Sequence, residues 1–379
     1  MVRPLLCALV FCHAAPALAP AAEVIARGPA REPKPFKYEP KSLAALPKPF
    51  LEEFPAVTLY SGTSHVIEPD GTIETTTHEI TRLNGRKGIE QYGEYRSISY
   101  DPSYQKLVLN EARVLKKDGR IVPVQNRHLQ LRDVGTDYQV YDAEKQLVIS
   151  FPNLEVGDCY EVKWTVRGKN PEFAGHFFSR YTFGDDAVPV ALDEVHVVLP
   201  KGKAFHWGTS NGKVEPVIRA LKDGGKHYHW HTRDRLPLPK EEDKPSREAL
   251  SVRLACSTFP DWQAVADWKE KLRKDCWECA EDVRKTVREV TKGKTTAEEK
   301  AKALTYWVRQ NIRYLSRGPA GTGYTPHKPG QVLGNLFGDC KDQAQLLAVM
   351  LREIGLDPHL VTLGVLDDGQ VMEDVPCPW

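Results

Sequence analysis

The apolar period of this 379-residue chain changes once, near Pro260, and that change restricts it to strands first and helices after. From Val57 to about Pro200 apolar and polar residues mostly alternate, the pattern of half-buried strands. Turn signals cut this region into short pieces. Pro69-Asp70-Gly71 closes the first hairpin, and Asp118-Gly119 separates residues 113–115 from 121–124. Gly157-Asp158 opens a strand at Cys159, and Pro200 stops another at Leu199. Many short strands of this kind predict an antiparallel β-sandwich over residues 56–245. The Pro- and charge-rich stretch 236–248 marks the boundary. Residues 246–379 then read as an α+β domain, so the fold class is α+β.

Beyond Pro260 three helices stand out. Asp261 caps one that carries Trp262, Val265, Trp268 and Leu272. Thr296 and Glu299 have capping-box spacing ahead of Leu304, Trp307, Val308 and Ile312. The third runs from Cys340 to Ile354, with Leu346, Leu347, Met350 and Leu351 on one face and Gly355 as its stop. Residues 359–366 read as a strand.

The N-terminus has the order of a secretory signal: Arg3, an apolar core from Leu5 to Phe11, then Ala17, Ala19, Ala21 and Ala22. Residues 1–22 are therefore expected to be removed from a periplasmic or secreted protein. Residues 23–55, rich in Pro, Lys and Ala, read as a linker. A formal net charge of +1 gives no reason to expect nucleic acid. Six cysteines remain after the signal, too few to build a chain of this length on disulfides.

Cys340 carries the chemistry. A cysteine nucleophile acts as the thiolate, and a helix N-terminus favours that form through its dipole and unpaired N–H groups. Gly338 permits a tight approach, Asp339 supplies a cap, and first-turn N–H groups suit an oxyanion. The alternative is a core cysteine that packs as a small hydrophobe.

The surrounding run is Tyr306-Trp307-Val308-Arg309-Gln310-Asn311-Ile312-Arg313-Tyr314, then Gly321-Thr322-Gly323-Tyr324-Thr325-Pro326, then Phe337-Gly338-Asp339-Cys340-Lys341-Asp342. It resembles the core of the bacterial transglutaminase-like superfamily. Pro69-Asp70-Gly71, Lys117-Asp118-Gly119, the segment from Phe151-Pro152-Asn153 to Asp158, and the strand from Val195 to Pro200 are similar to the domain of unknown function 3857. The resemblance implies a papain-like arrangement in which the cysteine helix packs on a small antiparallel sheet. It also implies a thioester formed on Cys340 from a peptide or amide and resolved by water or an amine. Tyr314 and Tyr324, flanking the loop before the motif, are candidates to orient substrate, with packing as their alternative. No cofactor is implied.

In that family a histidine and an acid follow the cysteine on later strands. Here Asp374-Val375-Pro376-Cys377-Pro378-Trp379 resembles the start of the segment that leads to the histidine, and the core reads as incomplete. His359 follows a helix whose far end lies roughly 20 Å from the thiol, the wrong end for a base. His327 precedes the cysteine by thirteen residues, in the approach loop. The rival to an enzyme is thus a binding module that keeps the partial core as a scaffold.

Two weaker constellations remain. Cys276-Trp277-Glu278-Cys279 lacks the second pair that a structural zinc site needs. His227, His229 and His231 share one strand face, which suits a transition metal, yet no carboxylate is visibly placed to join them. A solvated strand face is the simpler reading of these three.

Overall fold

The computed structural model describes residues 26–30, 46–134, 144–238, 241–242, 245–315, 323–363 and 371–378. The expected signal segment lies outside them, as does most of the expected linker. Within that linker, Lys48–Glu52 forms a short helix that buries Phe50 against Val57, Leu59 and Ile80. Among the described residues no helix is long and apolar enough to cross a membrane.

The chain opens with β1 (Ala56–Ile67), β2 (Ile73–Leu83), β3 (Tyr95–Tyr100), β4 (Gln105–Leu115), β5 (Ile121–Pro123) and β6 (Leu129–Asp133). It continues with β7 (Lys145–Ser150), β8 (Cys159–Gly168), β9 (Phe178–Thr182), β10 (Val190–Leu199) and β11 (His206–Ser210). The β-rich unit closes with β12 (Val217–Ala220), β13 (Lys226–Arg235) and β14 (Arg253–Ser257). Eight strands form one sheet in the order β12-β13-β10-β1-β2-β8-β4-β5, beside two three-stranded sheets, β11-β14-β9 and β3-β7-β6.

Local chemistry explains the hairpins. At the β1–β2 turn the Asp70 carboxylate accepts the Thr72 N–H at 2.9 Å, and Gly71 takes φ 86°, open to glycine at no steric cost. The sheet is not wholly antiparallel, because β10 runs parallel to β1, with His65 opposite Val197. Alternation encodes which face a residue takes and is silent on strand direction. β14 pairs with both β9 and β11, so residues beyond the charged stretch complete a sheet begun far earlier.

Alternation sends one face of the large sheet onto the two small ones. Val195, Val197, Tyr228 and Trp230 pack with Leu254 and Cys256. Leu107, Leu109, Val114 and Val162 pack with Ile98, Leu147 and Ile149. The result is sandwich-like, one broad sheet against two narrow ones.

The helical unit contains Trp262–Arg273, Glu281–Val290, Ala297–Asn311, Pro329–Asn335 and Cys340–Glu353. Asp261 and Thr296 cap their helices as expected, Thr296 in a full capping box with Glu299. Val283, Val287, Leu304, Val308, Leu346 and Met350 fuse the last helices into one core. Residues 359–363 are not a strand. Val361 and Leu363 stand 73% and 79% exposed, and no described strand lies beside them to supply a ladder. Residues 364–370 lie outside the described set. The ladder beside the cysteine helix is instead parallel and two residues long, β15 (Arg313–Tyr314) against β16 (Phe337–Gly338).

Candidate functional site

The turn into the cysteine helix is fastened from both sides. The Asp339 carboxylate accepts the N–H groups of Lys341 at 3.1 Å and Asp342 at 3.3 Å. The Asp342 carboxylate in turn accepts the Asp339 N–H at 3.2 Å, closing a capping box. The Lys341 ammonium binds the free side of Asp339. Gly338 is needed here because a Cβ would lie 2.7 Å from the Asp342 Cβ. β15 then straps the turn, with the Leu315 N–H donating to the Gly338 carbonyl at 3.1 Å.

Cys340 is therefore the first residue of a fourteen-residue helix, exposed, and on the wall of a cavity of about 520 Å³. The cap corrects one expectation. Two of the first-turn N–H groups expected to hold an oxyanion are occupied by Asp339. The N–H of Cys340 itself is left as the first-turn donor without an acceptor among the described residues.

The cavity has walls from both units. The helical unit supplies Tyr314, Tyr324, Asp339 and Lys341, and the β-rich unit supplies His65, Thr75, Tyr104, Asn170 and Phe177. Burial lowers the His65 pKa to about 4, so its ring is neutral at neutral pH. Its Nδ1 lies 2.9 Å from the Thr75 hydroxyl, and its ring packs on Phe177. None of these β-unit residues was singled out by sequence reasoning, since only the fold brings them to the cysteine.

Glu172 locks the two units together. Its buried carboxylate accepts the backbone N–H groups of Tyr324 at 3.3 Å and Thr325 at 2.9 Å, and its carbonyl accepts the Trp268 indole N–H. Glu172→Ala should leave those amides unpaired and cost about 1–3 kcal/mol. Faster hydrogen exchange at Tyr324 and Thr325, with little change in the large sheet, is the expected signature. Unchanged exchange there would remove the locking role.

The residues expected at the site divide clearly. Tyr314 is 58% exposed at the cavity mouth. Tyr324 borders the cavity but also packs edge-on against Phe173, Phe178 and Trp268, and burial pushes its hydroxyl up to about 12. The packing raised as the alternative role of Tyr324 is thus present, beside its place on the cavity wall. His327 is held by Asp342, which accepts its backbone N–H at 2.8 Å and lies 3.0 Å from its Nδ1. His359 is exposed, with Asp357 as its nearest acid at 3.9 Å. No hydrogen bond joins either imidazole to Cys340 among the described residues.

Cys276 and Cys279 are both free; Cys276 donates to the Pro326 carbonyl at 3.2 Å, and burial raises the Cys279 thiol to about 11. The three-histidine face needs a correction. β10 brings Glu194 and His196 beside His229, a carboxylate and a fourth imidazole that strand spacing could not show.

Comparison with known proteins agrees with this architecture. Residues 69–239 match the Domain of Unknown Function DUF3857, and residues 284–372 match the Transglutaminase-like superfamily. No curated protein matches the sequence. Among solved structures, a candidate protease from Parabacteroides distasonis ATCC 8503 superposes with a TM-score of 0.72 at 22% identity, over 80% of this chain and 59% of its own. The chain thus spans less than two thirds of that protein, and at this identity the likeness shows the fold alone. An M1 zinc metallopeptidase from Deinococcus radiodurans aligns over 54% of this chain and 43% of its own at 11% identity, but its TM-score of 0.28 carries no argument. The matched segments thus make the chain a DUF3857 domain joined to a core of the transglutaminase-like superfamily.

Proposed function

We propose that the chain is an exported transglutaminase-like cysteine protein that acts on peptide or amide bonds through a thioester on Cys340. The observation that carries this reading is the exposed thiol at the start of a capped helix, on the wall of a cavity large enough for a peptide side chain and its backbone. The thiolate sulfur attacks the carbonyl carbon, and the carbonyl electrons move to oxygen beside the Cys340 N–H. Collapse of that intermediate expels the amine, which takes up a proton. Water or a second amine then releases the acyl group. The candidate protease that shares this fold supports a peptide as the substrate class. The reading takes residues 1–22 as the export signal and Tyr314 as a substrate contact.

A second reading, a peptide-binding module without turnover, is favoured by one observation: no described histidine reaches the thiol. One experiment separates the two. The full chain is incubated with a short peptide ester and analysed by intact mass spectrometry. An acyl adduct on Cys340, absent in Cys340→Ser, supports thioester chemistry. Peptide binding with no adduct supports the module and removes the enzyme reading for this chain.

Alkylation gives a further check. Iodoacetamide should modify Cys340 well before Cys159, Cys256, Cys276 and Cys377, which are all buried. Equal, slow labelling of Cys340 and Cys159 would remove the claim of an accessible, reactive thiol.

A further inference from the structure

The face of the large sheet turned away from the small sheets is polar yet shielded. Thr76, His78, Glu161, Thr165 and His196 are all buried there. Buried polar groups are normally paired, and an exception calls for a cause. At one end of this face the imidazoles of His227, His196, His229 and His231 form a column. His196 and His229 stack at 4.2 Å and 8°, and His229 and His231 at 5.3 Å.

His196 is the informative member. It is 4% exposed, its Nδ1 lies 3.0 Å from the His227 Nε2, and its own Nε2 is buried without a hydrogen-bond partner. The His196 Nδ1 and His227 Nε2 share one hydrogen bond, which leaves the His196 Nε2 as the ring nitrogen that pair does not use. The His196 Nε2 faces Glu194 Oε2 at 3.6 Å, and the His229 Nε2 donates to Glu194 Oε1 at 3.2 Å. Two ring nitrogens and a carboxylate thus converge from two strands, and the buried His196 Nε2 is the one among them without a partner.

We infer that Glu194, His196 and His229 form a site for a first-row divalent transition ion of the zinc class. The ligand atoms lie within 4.8 Å of one another. An ion bound at about 2.0–2.2 Å needs ligand pairs closer than about 4.2 Å, a small side-chain adjustment. Two imidazoles and one carboxylate match an open three-ligand site and disfavour calcium or magnesium. Outer partners are in place: the His227 Nε2 lies 3.0 Å from the His196 Nδ1, and the Tyr60 hydroxyl donates to Glu194 Oε2 at 3.1 Å. The rival is a metal-free cluster in which Glu194 is paired with protonated imidazoles.

The test uses the full chain, free of any affinity tag, stripped with a chelator and carrying Cys340→Ser so that the exposed thiol supplies no ligand. Zinc is titrated by calorimetry. One ion per chain with micromolar or tighter affinity is expected, weakened tenfold or more by His229→Ala and by Glu194→Gln. Cobalt should give visible bands without a thiolate charge-transfer band. No binding in the Cys340→Ser chain overturns the proposal whether or not the other variants fold. A thiolate band, or unchanged affinity in folded His229→Ala and Glu194→Gln, also overturns it.

Discussion

Asp158→Ala should lower the unfolding free energy by about 3 kcal/mol, near the bottom of the range for breaking a buried ion pair. Asp158 is fully buried and accepts from the Lys116 ammonium at 2.6 Å, the Lys117 N–H at 3.0 Å and the Glu155 N–H at 2.8 Å. It therefore fixes the turn before β8 to the end of β4 with a single carboxylate. Without it, Lys116 remains buried but keeps the Asn153 carbonyl at 2.8 Å and Glu155 at 3.3 Å, which is why the lower figure applies. Urea unfolding followed by tryptophan fluorescence measures the change. Pairing Asp158→Ala with Lys116→Met should recover part of the loss, since the stranded charge goes too. A loss under about 1 kcal/mol would mean that the turn holds without the pair.

Asp342→Ala is the second large effect, about 2–4 kcal/mol, because one buried carboxylate serves three donors. It accepts from the His327 N–H, lies against the His327 ring, and holds the Asp339 N–H. Its pH dependence has a definite sign. Burial works to raise the Asp342 pKa, but hydrogen bonds and charge from His327 and the Asp339 N–H outweigh it and hold the carboxyl below its ordinary value. A group depressed on folding contributes stability that is complete above its unfolded pKa and lost as the pH falls through the folded one. Wild type should therefore lose stability as the pH falls below the ordinary carboxylate range, and Asp342→Ala should flatten part of that loss. Thermal melts of both proteins across acid pH check this. Parallel profiles would mean that Asp342 carries none of it.

What could be read in the sequence was what forms between near neighbours. The Asp70-Gly71 turn, the Thr296–Glu299 capping box and the Asp339 cap each involve residues a few positions apart, and each is present. The start of the cysteine helix was legible for the same reason. The parallel pairing of β1 with β10, the place of β14 and the Glu172 lock join residues scores of positions apart, and no local pattern records them. Strand spacing likewise showed three histidines on β13 but not the Glu194 and His196 that β10 sets beside them. Residues 359–363 failed in the opposite sense: their composition suits a strand, but a strand exists only where another can pair with it.

Because the cavity walls belong to two units joined at Glu172, anything that fills it touches both at once. Occupancy is then coupled to cooperativity. A bound peptide would act as a cross-brace, and melting of the helical unit would shift toward that of the β-rich unit. The separation between two unfolding steps thus becomes a ligand detector that requires no turnover at Cys340.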